Sequence, residues 1–237
     1  MEKQLWFREI CRKNKISLSD EQLEQFEKFV FHLLEWNKKI NLIARTDEQN
    51  IWNRHILGSI SFLFRLKVHQ SSNIIDVGTG GGFPGIPLAI LLPDVQFTLI
   101  DSIKKKINVV EDIIKQLQLI NVKAICGRVE DLAKDAEFRQ SYDYVVARAV
   151  APMKDIIRWS KPLLKPVDDT SLSKDSINNN YVLPRGLMLL LKGGDLTQEI
   201  EEAKIKVKPR SIITHPTLIE GADFIDAIDK KLVIIQP

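Results

Sequence analysis

The clearest chemical signal in the chain is a glycine-rich segment that directly follows an apolar run. Residues 76–85 read DVGTGGGFPG, and five of the eleven glycines of the chain lie within them. Glycine lets the backbone turn sharply and lets a ligand or a helix end come close, because it has no side chain. The segment therefore predicts a ligand-binding loop between a strand and a helix.

Three kinds of ligand are typical of such a loop. A Walker phosphate loop ends in Gly-Lys-Ser/Thr, and this loop contains no lysine. A dinucleotide-binding turn has the spacing GxGxxG and holds a pyrophosphate at a helix N-terminus. Here the glycines alternate at 78, 80 and 82, and Pro84 begins the expected helix. S-adenosylmethionine has no phosphate, so it needs only a close approach of the backbone to its sugar and methionyl groups.

Acidic residues lie at or just after the ends of three successive predicted strands. They help to decide which of these ligands the loop binds. Asp101 can accept both hydroxyls of a ribose, which NAD and S-adenosylmethionine both carry. Glu130 suits the exocyclic amine of adenine, and Asp76 suits an ammonium group but would repel a pyrophosphate. Asp76 can also cap the following turn, and Glu130 can be an acid at a helix N-terminus. Taken together, the three acids favour S-adenosylmethionine.

Short β-rich runs alternate with helical stretches from residue 73 onward. We predict strands at 73–77, 96–101, 122–126, 142–148 and 187–192, and helices at 84–92, 104–119, 129–134 and 153–164. Such alternation is typical of an α/β, Rossmann-like fold with a mostly parallel, doubly wound sheet. Two late runs are predicted to add antiparallel edge strands, at 211–215 and 231–236.

Residues 1–70 have a helical character. Ser19 and Gln22 have the spacing of a capping box. The apolar residues that follow recur every three or four positions, as on the buried face of a helix, at Leu23, Phe26, Phe29, Val30, Leu33 and Leu34. A second helix is predicted from about 48 to 66. The sequence thus predicts an N-terminal helical region, 1–70, and a ligand-binding domain, 71–237, with a polar surface insertion at 166–183.

Composition indicates the cellular compartment of the protein and the partners it can have. The 237 residues carry a net charge of +3, which is too little to indicate nucleic-acid binding by itself. Cys11 and Cys126 have neither a metal-ligand spacing nor a disulfide framework, as is typical of a reducing cytoplasm. The apolar runs are shorter than the about 20 residues of a membrane span, and the first residues do not resemble a secretory signal. We expect a cytoplasmic protein with no membrane segment and no bound metal.

Five motifs together give the chain a family resemblance: NLIAR (41–45), RHI (54–56), DVGTGGGFPGIPLAI (76–90), GRVED (127–131) and ARAVAP (147–152). They resemble the bacterial 16S ribosomal RNA guanine-N7 methyltransferases, the RNA small subunit methyltransferase G or glucose-inhibited division protein B family. The resemblance spans about residues 20 to 195. It implies a class I S-adenosylmethionine-dependent fold and N7 methylation of one guanine in 16S ribosomal RNA, free, in the 30S subunit or in an assembly intermediate.

The resemblance also implies site residues by position. Those expected to bind the cofactor are Gly78, Gly80, Phe83, Asp101, Ser102, Ile103, Val129, Glu130 and Arg148. Arg148 is also expected at the catalytic edge after the fourth strand. Basic residues that are candidates for phosphate contact with RNA are Arg45, Arg54 and Lys192, whereas Lys104–Lys106 is interpreted as a solvated helix face. In the family a short turn precedes the fifth strand, so the polar insertion is a departure from its pattern.

The nucleophile decides which catalytic groups are needed. Guanine N7 has an in-plane lone pair and no proton, so we expect no general base, and catalysis by alignment and electrostatics. The fourth strand lacks the Asn/Asp-Pro-Pro-Tyr motif of exocyclic-amine methyltransferases. Arg148 is expected to contact guanine O6, a phosphate or the cofactor carboxylate, or to pair with Asp76. Two alternatives remain: a class I methyltransferase that acts on a small molecule or protein, and a non-catalytic RNA-binding module.

Overall fold

The computed structural model describes residues 2–148, 150–168, 181–217, 219–222 and 230–237. The helices are α1 Glu2–Lys13, α2 Asp20–Asn37, α3 Gly58–Ile60, α4 Gly85–Leu91, α5 Lys104–Gln116, α6 Val129–Leu132, α7 Met153–Ser160 and α8 Thr197–Val207. The strands are β1 Leu66–Lys67, β2 Asn73–Val77, β3 Gln96–Asp101, β4 Val122–Cys126, β5 Tyr144–Arg148, β6 Tyr181–Val182, β7 Leu187–Gly193, β8 Ser211–Pro216 and β9 Lys230–Gln236.

Seven strands form one twisted sheet in the order β4-β3-β2-β5-β7-β9-β8. The first five are parallel, and β9 is antiparallel to both of its neighbours. The predicted fold class is confirmed. One detail was wrong: of the two late strands only β8 is at the edge, because β9 inserts between β7 and β8. β5 is also shorter than expected, since Tyr142 makes only an isolated bridge to Leu164.

Helices cover both faces of the sheet, and the strands alternate between two hydrophobic clusters. On β2, Ile74 belongs to the cluster under α1, α2, α4 and α5, while Ile75 belongs to the cluster under α7 and α8. On β3, Leu99 and Ile100 divide in the same way. Because successive strand residues point to opposite faces and both faces are covered, the central strands β2, β3, β5 and β7 are buried along most of their length. The parallel ladder therefore aligns the carboxyl ends of β2, β3, β4, β5 and β7 along one edge.

The N-terminal helices are part of this core. Ser19 caps α2, with its side chain accepting from Gln22 N and the Gln22 side chain accepting from Ser19 N, as the capping box predicts. The apolar stripe of α2 is confirmed, since Phe26, Phe29 and Leu33 are fully buried. They lie in the same cluster as apolar residues of α4, α5 and β9. The division at residue 70 stays a prediction, because one cluster spans both parts.

The second predicted helix is irregular. Arg45–Asn50 is a 3₁₀ turn, Ile51–Leu57 is a π-helix, and the short α3 leads into a 3₁₀ turn at Ser61–Phe64. Within Ile51–Leu57 the buried residues recur after five positions, at Ile51, Trp52, Ile56 and Leu57. This spacing matches the i to i+5 turn of a π-helix rather than a period of 3.6. The prediction of a regular helix over 48–66 was therefore wrong.

Both described ends of the polar insertion lie at the amino edge of the sheet, while residues 169–180 are outside the described part. The buried carboxylate of Asp143 lies 2.9 Å from Lys165 Nζ and 3.2 Å from Arg185 Nε. β6 pairs in parallel with β1. The role of this insertion, which the sequence leaves open, stays open, because most of its residues are outside the described part; its anchors are at the edge opposite the glycine loop.

None of the helices in the described part of the chain is both long and apolar enough to cross a bilayer.

Candidate active site

The glycine loop crosses the carboxyl edge of the sheet between β2 and α4. Gly78 N and Thr79 N donate to Ile100 O at 2.8 and 3.0 Å, so the loop begins as an extension of the β2–β3 ladder. Gly78 has φ of +70°, and a Cβ there would lie 2.4 Å from Val150 Cγ1. Gly80 has φ of +58°, but a Cβ there would meet nothing nearer than Gly78 O at 4.0 Å. The loop is thus packed from one side at Gly78 and open at Gly80.

Asp76 supports the loop from beneath. It is fully buried, and its Oδ2 accepts from Thr79 Oγ1 at 2.6 Å and from Gly85 N at 2.9 Å. Burial raises the pKa of Asp76 to about 7, although these two hydrogen bonds and nearby Arg148 favour the ionised form. The expectation that Asp76 faces a ligand ammonium does not fit this burial. Its alternative role as a cap of the following turn is the one observed.

Asp101 ties the loop to the end of β3. Its Oδ2 accepts from Gly80 N at 3.0 Å and its Oδ1 accepts from Ile103 N at 2.9 Å. Each carboxylate oxygen can accept a further hydrogen bond. Asp101 therefore shapes the loop and still offers acceptors to a ligand, although only 8% of the residue is exposed.

A first cavity of about 390 Å³ lies over the ends of β2, β3 and β4. Five of the predicted cofactor residues line it: Gly78, Asp101, Ser102, Val129 and Glu130. The rest of its lining is Val77, Ile100, Lys106, Gly127, Arg128, Val150, Ala151 and Trp159. Ile103, which was also predicted, is half exposed at the start of α5 and is not among the lining residues.

A second cavity of about 450 Å³ lies on the other side of the glycine loop. The other three predicted cofactor residues, Gly80, Phe83 and Arg148, line this cavity and not the first. The other lining residues are Leu42, Ile43, Asp47, Arg54, His55, Gly78, Thr79, Gly81, Lys106 and Lys230. Gly78 and Lys106 line both cavities, so the two spaces adjoin at the first glycine of the loop.

Arg148 is held in the second cavity by a chain of polar contacts. Its Nη2 lies 2.9 Å from His55 Nδ1. Because a guanidinium only donates, Nδ1 accepts and the ring proton is on Nε2, which donates to Asp47 Oδ2 at 3.2 Å. Asp47 Oδ1 accepts from Arg54 Nη1 at 2.8 Å. The alternative of an Arg148–Asp76 pair is not seen as a direct contact among the described residues.

The charge states of His55 and Arg148 in this series of contacts follow mainly from their burial. Burial lowers the pKa of His55 to about 4, with a further contribution from Arg148, and the contacts to Asp47 oppose the shift only in part. His55 is therefore neutral at pH 7. Burial lowers the pKa of Arg148 to about 10, against the effect of Asp76 and Asp47, so Arg148 stays charged.

The predicted RNA-contact residues have different surroundings. Arg54 lines the second cavity beside Asp47, and Arg45 is exposed at the start of the neighbouring 3₁₀ turn. Lys192 is only 11% exposed, pairs with Glu199 and donates to Ala151 O at 3.0 Å. Its ammonium is thus already neutralised within the protein, and its contact with RNA stays a prediction. Lys106, interpreted as part of a solvated face, lines both cavities.

Two charged residues that line the second cavity, Asp47 and Lys230, were missed by sequence reasoning. Asp47 is an acid in a polar segment, and nothing in its spacing distinguishes it from a surface residue. Lys230 begins the last strand and donates to Arg54 O at 3.3 Å. Only the insertion of β9 into the sheet brings it to the site.

The comparisons with known proteins agree with this geometry. The family model of rRNA small subunit methyltransferase G (GidB) matches residues 22–177. The chain belongs to this family. The ribosomal RNA small subunit methyltransferase G of Flavobacterium johnsoniae is 41% identical over 186 residues, which cover 78% of this chain and 80% of that protein. That of Thermoanaerobacter sp. strain X514 is 39% identical over 204 residues, covering 85% and 82%.

Solved structures confirm the fold of this methyltransferase G family member. M. jannaschii TYW2, solved in complex with AdoMet, has a TM-score of 0.52 at 14% identity and covers 84% of this chain and 78% of its own. A predicted O-methyltransferase from Agrobacterium tumefaciens has a TM-score of 0.53 at 13% identity, with coverages of 76% and 79%. At such low identity the likeness shows the fold alone, which is that of class I S-adenosylmethionine-dependent methyltransferases.

Proposed function

We propose that this protein transfers a methyl group from S-adenosylmethionine to N7 of a specific guanine in 16S ribosomal RNA. The observation that carries this proposal is the meeting of two cavities at Gly78. The lining of the first includes two acids that follow strand ends, Asp101 and Glu130, and most charged residues that line the second are cations. A transfer between two bound molecules requires two adjoining sites that place the reacting atoms close together. Membership of the methyltransferase G family supports the same function.

The residues of the first cavity fit S-adenosylmethionine. This cavity adjoins the backbone of the glycine loop at Gly78, where a ligand can approach the main chain without meeting a side chain. Asp101 and Glu130 offer acceptors for ribose hydroxyls and an adenine amine, and Val129 and Trp159 add apolar surface. The volume lies within the range of about 300–1,000 Å³ that is usual for small-molecule sites.

The residues of the second cavity fit a base and its phosphates. S-adenosylmethionine, when bound, would supply an electrophilic methyl group with a neutral thioether as its leaving group, and guanine N7 supplies the lone pair for the new bond. No proton leaves N7, so the site needs no general base, and the neutral His55 serves to orient Arg148. Arg148, Arg54 and Lys230 supply positive charge for an anionic nucleic acid.

The geometry of RNA sets a condition on the substrate. In an A-form helix N7 faces a deep and narrow groove that side chains do not enter. The target guanine must therefore be unpaired or turned out of its stack. We propose that the substrate is 16S RNA, free, in the 30S subunit or in an assembly intermediate, and that the enzyme acts in the cytoplasm, without a metal.

A methyl-transfer assay tests the proposal. The protein is incubated with tritiated S-adenosylmethionine and either naked 16S RNA, 30S particles or GTP, using RNA and particles that lack prior methylation. Label recovered as 7-methylguanosine from 16S RNA or 30S particles supports the proposal. Label in GTP alone would favour a small-molecule methyltransferase, and RNA binding without label would favour a non-catalytic module. The modified base is identified by mass spectrometry of the nucleosides.

A further inference from the structure

The second cavity contains one carboxylate among the described residues that line it, that of Asp47. It comes from the 3₁₀ turn Arg45–Asn50, which the sequence does not distinguish from an ordinary surface turn. The rest of the polar lining consists of cations, the neutral His55 and the backbone and threonine of the glycine loop. An acid in a cavity suited to an anionic substrate requires an explanation, because it opposes phosphate binding.

Asp47 is ionised and has unused acceptor capacity. Burial by itself would raise the pKa of Asp47, but hydrogen bonds from His55 and Arg54 outweigh burial and lower it below the usual value. Each of its oxygens accepts one hydrogen bond, at 2.8 Å from Arg54 Nη1 and 3.2 Å from His55 Nε2. A carboxylate has about four lone-pair sites. With 23% of the side chain exposed, Asp47 can accept further donors from the cavity.

The chemistry of guanine supplies such donors. Guanine carries acceptors, N7 and O6, on one edge, and donors, N1–H and the N2 amine, on the opposite side of the ring. If N7 is to receive a methyl group where the two cavities adjoin at Gly78, the donor edge must point away from that junction. An acceptor-only group in the remaining lining then meets N1–H and N2–H. Adenine presents an acceptor at N1 and has no N2 amine, so Asp47 would repel it.

We propose that Asp47 accepts hydrogen bonds from N1–H and the N2 amine of the target guanine and is the residue that selects guanine over adenine. This assignment rests on the function proposed above and deepens it. His55 and Arg54 are positioning residues for Asp47, because they fix its two oxygens.

The same contact also favours the reaction. When N7 takes the methyl group, the guanine ring becomes cationic and N1–H becomes more acidic. The hydrogen bond from N1–H to the Asp47 carboxylate therefore strengthens between the ground state and the transition state. An interaction of this kind raises kcat, and not only the affinity for substrate. Loss of Asp47 should thus lower kcat as well as raise KM.

Inosine provides the sharpest test, because it keeps N7, O6 and N1–H and lacks only the N2 amine. A 16S RNA is ligated from two pieces, with guanine or inosine at the position that the assay above identifies, and is reconstituted into 30S particles. The ratio of kcat/KM for guanine to kcat/KM for inosine is measured for the wild type and for Asp47→Ala. We expect the ratio for the wild type to be at least tenfold larger than the ratio for Asp47→Ala, which is the effect usual for loss of a hydrogen bond to a charged group.

Comparison of the two proteins cancels the intrinsic difference in N7 reactivity between the bases. Asp94→Ala is the matched control, since Asp94 is exposed in the turn before β3 at the opposite edge of the sheet. Asp94→Ala should keep the wild-type ratio of kcat/KM for guanine to kcat/KM for inosine. Calorimetry with S-adenosylhomocysteine verifies that each variant is folded. If Asp47→Ala does not fold, Asp47→Asn serves in its place and should also lower the ratio.

The outcomes separate the two proposals. Equal ratios in the wild type and a folded Asp47 variant would overturn the assignment of Asp47 and leave the proposed function standing. Failure of both Asp47 variants to fold would make the residue structural and would also overturn the assignment. Failure of the wild type to methylate either RNA would overturn the proposed function, and the assignment with it.

Discussion

The guanidinium of Arg148 lies over the ring of Phe83, with 4.6 Å between its Cζ and the ring centroid. Phe83 belongs to the glycine loop and Arg148 ends β5, so this cation–π contact joins the two elements that flank the second cavity. Phe83 is itself backed by Phe29 of α2 at 5.1 Å and by His55 at 5.2 Å. A desolvated contact of this type is worth about 2 kcal/mol. Contacts within the protein therefore hold Arg148 in its position at the second cavity.

Replacement of Arg148 by alanine should lower turnover much more than cofactor binding. Arg148 lines the second cavity and not the first, so we expect a fall in kcat of about 100-fold, the size usual for loss of one preorganised electrostatic group. The affinity for S-adenosylhomocysteine should change by no more than about threefold. Steady-state kinetics and calorimetry measure the two quantities. Arg158→Ala, on the exposed face of α7, is the matched control. An equal loss of both quantities would assign Arg148 to the cofactor.

Replacement of Gly78 by aspartate should abolish cofactor binding. A Cβ at this position would lie 2.4 Å from Val150 Cγ1, and φ of +70° is unfavourable for any side chain. We expect the affinity for S-adenosylhomocysteine to fall by about 100-fold or more, because the carboxylate would occupy the junction of the two cavities. Gly194→Asp separates the two causes, since Gly194 has φ of +75° but nothing within 4 Å of its Cβ. Similar losses in both variants would show that backbone strain alone is responsible.

Acid should weaken the fold through His55. The folded protein holds the pKa of His55 at about 4, against about 6.5 in an unfolded chain, so the unfolded state binds more protons between these values. The contribution of neutral His55 is complete above pH 6.5 and is lost as the pH falls towards 4. At 1.36 kcal/mol per pH unit this amounts to about 3 kcal/mol. Urea unfolding of the wild type and of His55→Gln measures this loss of stability.

The free energies of unfolding of these two proteins should converge by that amount between pH 7 and pH 4. His32→Gln, on the surface of α2, controls for the loss of a histidine as such. A constant difference in the free energy of unfolding between the wild type and His55→Gln across this range would contradict the assignment of His55 as a buried, neutral side chain.

Asp76 should have the opposite pH dependence. Its pKa is raised to about 7 in the folded protein from about 4 when unfolded, so the folded state binds the extra proton in this window. The wild type therefore loses stability as the pH rises from 4 to 7. Asparagine does not titrate. The free energy of unfolding of Asp76→Asn should therefore rise relative to that of the wild type by about 4 kcal/mol from pH 4 to pH 7. Thermal or urea unfolding at several pH values tests this, and a constant difference would mean that Asp76 is ionised throughout.

Local sequence patterns predicted the ligand loop and most of the sheet. The strands β2, β3 and β4 were predicted to the residue, because each is a short apolar run bounded by turn or helix signals. The glycines predicted a close approach to the loop, and the side chain of Val150 makes one at Gly78. Five of the expected cofactor residues also line the first cavity, since parallel strands bring their carboxyl ends to one edge.

Contacts between distant parts of the chain could not be predicted in this way. Lys230 reaches the backbone of Arg54 only because β9 inserts beside β7. Asp47 contacts His55 and Arg54, and His55 in turn contacts Arg148, which lies 93 residues further along the chain at the end of β5. The π-helix was missed because a period of 3.6 was assumed where residues recur after five positions. Asp76 was placed beside a ligand because its complete burial cannot be read from a strand end.

The position of β9 inside the sheet has a consequence for the order of folding. Among the described strands, β8 pairs with the sheet only through β9. The core that packs against α1 and α2 includes Leu232 and Ile234 of β9. The packing of the N-terminal helices is therefore complete only after a strand far away in the sequence has joined the sheet, and contacts of such large sequence separation form slowly. Because Lys230 of the same strand lines the second cavity and contacts Arg54, this cavity is finished in the same late step.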